Sequence, residues 1–151
     1  MEKILISACL LGINVRYNAE PKPFYHQQIT LWRKQGRVIT VCPEVAGGLS
    51  TPRAPAELSA DNTIVMTNDG NDVTQEFNQG AQHALLLCQR HDIKFALLKE
   101  SSPSCGSNTI YDGTFSGVKI SGQGLTAKLL TDNGVQVFSE QTIEQMIAIL
   151  D

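Results

Sequence analysis

The chain of 151 residues has only four cysteines, at positions 9, 42, 88 and 105, and no two of them form a C-x-x-C pair. So sparse a set is not the framework of a disulfide-stapled secreted domain. It also lacks the close ligand pair that usually marks a structural zinc site. No apolar run approaches the ~18 residues of a membrane span. There is no basic run, and the net charge is −3, so a broad electrostatic clamp on duplex nucleic acid is not expected. Internal repeats, linkers and low-complexity segments are absent as well. What is present is ordinary globular composition: 42% hydrophobic and 18% charged. Leu, Ile, Val and Phe supply about a quarter of the chain, which excludes disorder by composition. One domain spanning residues 1–151 is the expectation at this length.

The segment Ile6-Ser7-Ala8-Cys9 imitates a lipoprotein cleavage box. The apolar stretch before it runs only from Ile4 to Ala8, shorter than the roughly 7–15 residues of a signal-peptide core. A cytoplasmic protein with reduced thiols and no membrane partner is the resulting expectation.

Short β-branched or apolar runs read as strands over Lys3–Ala8, Arg37–Val41, Thr63–Thr67, Phe95–Lys99 and Val135–Phe138. Helices are expected over His26–Gln35, Thr74–Arg90, Leu125–Asp132 and Gln141–Leu150. The clearest is Thr74–Arg90, where Phe77, Ala81, Ala84, Leu85 and Cys88 recur at spacings of three and four. Thr74 is a candidate for its cap. Pro21 and Pro23 forbid regular structure around them. Pro43–Pro55 reads as loop, and Tyr111-Asp112-Gly113-Thr114 as a turn within a hairpin. Strands alternating with helices predict an α/β domain with a mostly parallel, Rossmann-like sheet flanked by helices.

On that map Cys9 follows the first strand, Cys42 the second, and Cys105 lies in the loop after Phe95–Lys99. Open parallel sheets bind ligands outside the carboxyl ends of their strands, so these three thiols fall on the functional edge. Cys88 belongs to a helix stripe and reads as a small core residue. Three soft thiolates suit zinc or an iron–sulfur cluster. A tetranuclear cluster usually takes four cysteines. With three, one iron keeps an open position able to act as a Lewis acid. A non-catalytic zinc- or nucleotide-binding module with structural cysteines, and a thiol redox protein using one exposed cysteine, are the competing readings.

Longer motifs surround these cysteines. Ser7-Ala8-Cys9-Leu10-Leu11-Gly12 with Val15-Arg16-Tyr17, Cys42-Pro43-Glu44-Val45-Ala46-Gly47-Gly48-Leu49 running into Thr51-Pro52-Arg53, and Ser102-Pro103-Ser104-Cys105-Gly106 resemble the thiouracil desulfidase family, DUF523. Asp72-Val73-Thr74 with Phe77 and Gly80-Ala81, Pro55-Ala56-Glu57, and Leu98-Lys99 extend the resemblance over nearly the whole chain. The chain departs from the family pattern at Asn18-Ala19, where Asp-Gly is expected, and at Ser50, where Pro is expected.

The resemblance implies a [4Fe-4S] cluster held by Cys9, Cys42 and Cys105, and removal of sulfur from a thiolated uracil base, nucleoside or nucleotide without net redox chemistry. Glu44 and Ser102 take the acid/base positions. Arg16 and Arg53 are candidates for a substrate phosphate, since a guanidinium fork suits one. Ser104 is a candidate contact to substrate or to a cluster sulfur. Gly122-Gln123-Gly124 before a helix is a candidate anion cradle. His26, His83 and His91 have no ligand spacing, and Trp32 reads as core.

Overall fold

Four strands, β1 (Ile4–Ser7), β2 (Val38–Val41), β5 (Phe95–Leu98) and β8 (Gln136–Ser139), make one all-parallel sheet in the order β2-β1-β5-β8. The structure, a computed structural model, describes residues 1–13, 15–18 and 24–150. The expected proline break at Pro21 and Pro23, and Ala19, lie outside the described residues. Among those described, no helix is long and apolar enough to cross a membrane.

The sheet is parallel because its central strands are apolar on both faces. Every residue of β1 and β5 is buried, as parallel strands covered by helices on both sides require. Side-chain alternation sorts these residues into two cores. Leu5, Ala96 and Leu98 pack with Ala84, Leu85 and Cys88 of α3 (Thr74–Arg90) and with Ala127 and Leu130 of α4 (Leu125–Asp132). Ile4, Ile6, Phe95 and Leu97 pack with Ile29 and Trp32 of α1 (Gln27–Lys34) and with Ile143 and Met146 of α5 (Ile143–Leu150).

From β1 the chain winds to β2 on one side, then crosses to β5 and β8 on the other. The topological switch therefore lies between β1 and β5, where doubly wound sheets open their ligand crevice. Two antiparallel hairpins, β3 (Ala56–Leu58) with β4 (Val65–Thr67) and β6 (Thr109–Tyr111) with β7 (Lys119–Ser121), share a third core with Phe77 of α3.

Several expected boundaries shift for local reasons. His26 is the cap of α1 rather than its first residue, its Nδ1 accepting the Gln28 N–H at 3.0 Å. Thr74 opens α3, but its hydroxyl accepts from the Val65 N–H at 2.8 Å and so ties the helix to β4 instead of capping it. Within the expected loop after Val41, Pro43–Ala46 forms one helical turn, α2, with Pro43 in its first turn. Proline is favoured there because its missing N–H is one the helix leaves unpaired anyway. β3, among prolines, gave no strand pattern.

α2 sits unusually close to α3. A Cβ on Gly80 would lie 1.8 Å from the Pro43 carbonyl oxygen, and one on Gly47 would lie 1.9 Å from that of Glu76. The contact seats the residues that follow β2 against the longest helix. Gly80→Ala, which intrinsic helix propensity favours, is expected to cost about 1–3 kcal/mol through overpacking. Thermal denaturation should therefore show a midpoint lowered by several degrees, and a midpoint at or above wild type would contradict this packing.

Candidate functional site

Cys9, Cys42 and Cys105 line a single pocket of about 400 Å³ at the carboxyl edge of the sheet. Each arrives by a different local device. β1 ends in a tight 3-10 turn, Ala8–Leu11, which Gly12 closes in the left-handed conformation (φ 83°). Cys9 lies in that turn. Cys42 is the cap residue of α2, extended (φ −120°, ψ 105°). Cys105 follows β5 in a loop that hydrogen bonds to itself. The Ser102 hydroxyl oxygen accepts the N–H groups of Ser104 and Cys105, both at 3.1 Å.

Ser7 joins the two strands at the switch point. Its hydroxyl accepts the Lys99 N–H at 3.1 Å and donates to the Cys105 sulfur at 3.7 Å. Cys88 lies elsewhere, buried among the α3 and α4 residues of the core.

The thiols are kept protonated in the absence of a ligand. Burial pushes Cys9 up to about 11, with the neighbouring Cys42 charge adding to it and Lys99 opposing it. Burial likewise raises Cys42, with the Val45 amide opposing. Cys105 is driven far above the ordinary thiol range by burial and then by the charges of Cys9 and Cys42. Three mutually repelling thiolates in one pocket require a positive centre between them. Among the described residues, no group of three or more His, Cys, Asp and Glu is arranged to hold a single metal ion.

Beside the thiols lies a carboxylate with a dedicated partner. Glu44 Oε1 accepts from Arg53 Nε at 3.2 Å and from Arg53 Nη2 at 3.1 Å. Burial raises Glu44 above the ordinary carboxylate range, with Arg53 and the Ser102 hydroxyl pulling against it. Arg53 is bound on all sides: Nη1 donates to the Ser50 carbonyl at 2.9 Å and Nη2 to the Val15 carbonyl at 3.0 Å. Arg53 lines the same pocket, as Arg16 does, with its donors engaged by Glu44 and by the loops after β1 and α2.

Arg16 does line the pocket, its guanidinium 6.0 Å from the Tyr17 ring centroid. Ser104 does not line it; that side chain is fully buried and pairs with the Thr126 hydroxyl at 2.7 Å. The Gly122-Gln123-Gly124 segment is not an anion cradle. The first amides of α4 are already taken, Leu125 N–H by the Pro103 carbonyl at 3.0 Å and Thr126 N–H by that of Ser104 at 2.9 Å. Gly124 serves close packing instead, because a Cβ there would lie 2.4 Å from the Ser104 carbonyl carbon.

Sequence reasoning missed several pocket or pocket-supporting groups, Glu100 among them. Ser7 bridges two strands 98 residues apart from its sulfur partner. Lys99 lines the pocket and pairs with Glu140 at 2.7 Å. Lys119 and Tyr111 line it from the second hairpin, the ammonium 5.5 Å from the ring centroid. Ser7 and Lys99 lie within the motifs that carry the resemblance, whereas Lys119 and Tyr111 have no local signal.

Fold and site together define a class: a doubly wound parallel α/β protein with a three-thiol pocket at its switch point. The family model for 2-thiouracil desulfurase matches residues 4–142, and the chain belongs to that family. It is 39% identical to the uncharacterized protein YbbK of Bacillus subtilis (strain 168), over 95% of this chain and 99% of that one. A solved structure described as the [4Fe-4S]-dependent thiouracil desulfidase TudS superposes with a TM-score of 0.96 at 49% identity, covering 99% of this chain and 98% of that one. The resemblance read from the cysteine motifs and the expected α/β fold both stand.

The Glu44–Arg53 pair generates a double-mutant prediction. Arg53→Gln leaves a half-buried carboxylate without its cation, whereas Arg53→Gln on a Glu44→Gln background does not. Urea denaturation of the four metal-free chains should give a coupling of about 1–3 kcal/mol. Strictly additive losses would contradict the pairing.

Proposed function

We propose that the chain is a [4Fe-4S]-dependent desulfidase that converts the C=S group of a thiolated uracil to C=O, with water as the oxygen source and sulfide as the second product. The observation that carries this reading is the pocket that brings three thiols together beside the Glu44 carboxylate. Kinship with a [4Fe-4S]-dependent thiouracil desulfidase at 49% identity over the whole chain supports it.

The donor set fits the cluster. Cys9, Cys42 and Cys105 are soft donors sharing one pocket, and each thiolate raises the cost of the next. The three cysteines lack the close ligand pair usual for structural zinc, whereas an iron–sulfur cluster is held by cysteine thiolates. Cys9, Cys42 and Cys105 are the residues that hold it in this reading. When bound by three thiolates, the cluster supplies an open Lewis-acid position for a soft sulfur atom.

The remaining work falls to the chain. Hydration of a thiocarbonyl needs a group that takes a proton from water and a group that returns one to the departing sulfur or the ring. Glu44 suits both roles because burial lifts its affinity for a proton while Arg53 keeps the ionised form accessible. A carboxyl poised closer to neutrality than an exposed one exchanges protons more efficiently at neutral pH. Arg53 fixes the carboxylate through two N–H groups. The Ser102 oxygen already accepts two amides, so its remaining proton is directed outward, toward Glu44 or a bound water.

Arg16 and Lys119, both in the pocket lining, are the cations placed to meet an anionic substituent on the uracil ring. These cations support a reading in which a thiolated nucleotide is a substrate as well as the free base, with Arg16 as its candidate phosphate contact.

The test is anaerobic reconstitution followed by incubation with 2-thiouracil and 4-thiouridine monophosphate while sulfide is measured. Equal sulfide and oxo-product are expected. Glu44→Gln should keep the cluster absorbance and lower turnover by about a hundredfold or more, in the range of a lost general acid/base. A reconstituted chain that releases no sulfide from either compound would overturn the proposal, and full activity in Glu44→Gln would remove Glu44 from it.

A further inference from the structure

We propose that Glu100 is a positioning residue, the anchor that sets the loop carrying Ser102 and Cys105 against the pocket. β5 stops at Leu98, and the next two side chains diverge. Lys99 pairs with Glu140. Glu100 turns inward and is only 2% exposed, an exceptional place for a carboxylate.

The accounting of backbone donors explains its position. The N–H groups of Ser104 and Cys105 go to the Ser102 hydroxyl oxygen, and that of Gly106 goes to the Ser102 carbonyl at 2.9 Å. The next three, Ser107, Asn108 and Thr109, all donate to Glu100 Oε1 at 2.9, 3.0 and 3.1 Å. Oε2 accepts the Ser107 hydroxyl at 2.8 Å. Every amide from Ser104 to Thr109 is therefore gathered by either Ser102 or Glu100.

A buried donor left unpaired is costly, and of these residues Ser107 is buried and Thr109 half-buried, while Asn108 is exposed. One carboxylate oxygen, able to accept several bonds, meets all three amides at the entry to β6. Burial alone would favour a protonated Glu100. The Asn108 and Thr109 amides and the Ser107 and Ser139 hydroxyls overcome it and hold the group at about 2, so it stays ionised.

The consequence reaches the pocket through the chain. Residues 107–109 are the far arm of the loop whose near arm holds Ser102 and Cys105. Gly106, between them, has no room for a side chain, since a Cβ would lie 2.4 Å from the Thr109 carbonyl oxygen. On the reading of Cys105 as a cluster ligand, Glu100 acts on ligand placement without touching it.

The test is thiol labelling of the reduced, metal-free full chain, resolved by residue. Glu100→Ala should raise the labelling rate of Cys105 by at least about tenfold, because local opening no longer has to break the amide cluster. Cys88, in the core against α3, is labelled only through global unfolding, so its rate should rise no further than the stability lost in urea denaturation of Glu100→Ala, and Cys105 should label faster than Cys88 in that variant. Should Glu100→Ala fail to fold, Glu100→Gln keeps the shape and removes the charge. Its Ser107, Asn108 and Thr109 amides should then exchange about tenfold faster, since bonds to a charged acceptor are roughly twice as strong, with α3 amides unchanged. Unchanged Cys105 labelling in Glu100→Ala, Cys105 labelling no faster than that of Cys88 in the same variant, or wild-type exchange at residues 107–109 in Glu100→Gln would each overturn the proposal. Because both readouts use the metal-free chain, they are independent of whether the loaded chain turns over thiouracil.

Discussion

Three thiolates cannot share one buried pocket unless something positive sits among them. Each of Cys9, Cys42 and Cys105 is raised by burial. The charges of Cys9 and Cys42 weigh further on Cys105. That mutual repulsion gives the pocket its chemistry, and the sheet exists in a form that imposes it. β1, β2 and β5 are parallel neighbours, so the residues that follow them emerge on one edge. The apolar runs that bury β1 and β5 on both faces bring together three positions separated by up to 96 residues.

The neighbouring groups are arranged so that the pocket needs little from solvent. Arg53 satisfies Glu44 and at the same time ties the segment after β1 to the segment after α2. The cysteine loop supplies the carbonyls that cap α4, while Ser102 and Glu100 take up its own amides. Loop and helix thus complete one another. Gly80 and Gly124 mark where backbone must touch backbone for this to work, at the seat of α2 on α3 and at the entry to α4. An active-site loop held in this way is part of the scaffold and not an appendage to it, as preorganised chemistry in a low-dielectric pocket requires.

What was legible in the sequence follows from the range of the interactions involved. α3, with its stripe from Phe77 to Cys88, and α4 were read to their ends because helical periodicity is local. β1 and β5 were legible as apolar runs, and with them the shared edge of three cysteines and the separate role of Cys88. α2 was hidden because Pro43 reads as a breaker until the chain is seen to start a helix there. β3 was hidden by the prolines beside it. Residue type and motif point to ligand binding for Ser104 and Gly124, but their partners, the Thr126 hydroxyl and the Ser104 backbone, are tertiary and carry no local signature. The pairing of Arg53 with Glu44 is equally silent in the sequence. Glu100 gave no signal either, since a carboxylate after a strand looks solvated until the amides of residues 107–109 fold back onto it.

The division of the four cysteines into three and one is the central claim, and it is tested most directly by counting iron and acid-labile sulfide in anaerobically reconstituted single Cys→Ser variants. The wild type and Cys88→Ser should each hold about four iron and four sulfide per chain, as a [4Fe-4S] cluster demands. Cys9→Ser, Cys42→Ser and Cys105→Ser should each fall well below that while keeping their fold. Loss of iron in Cys88→Ser, or full retention in any of the other three, would contradict the account.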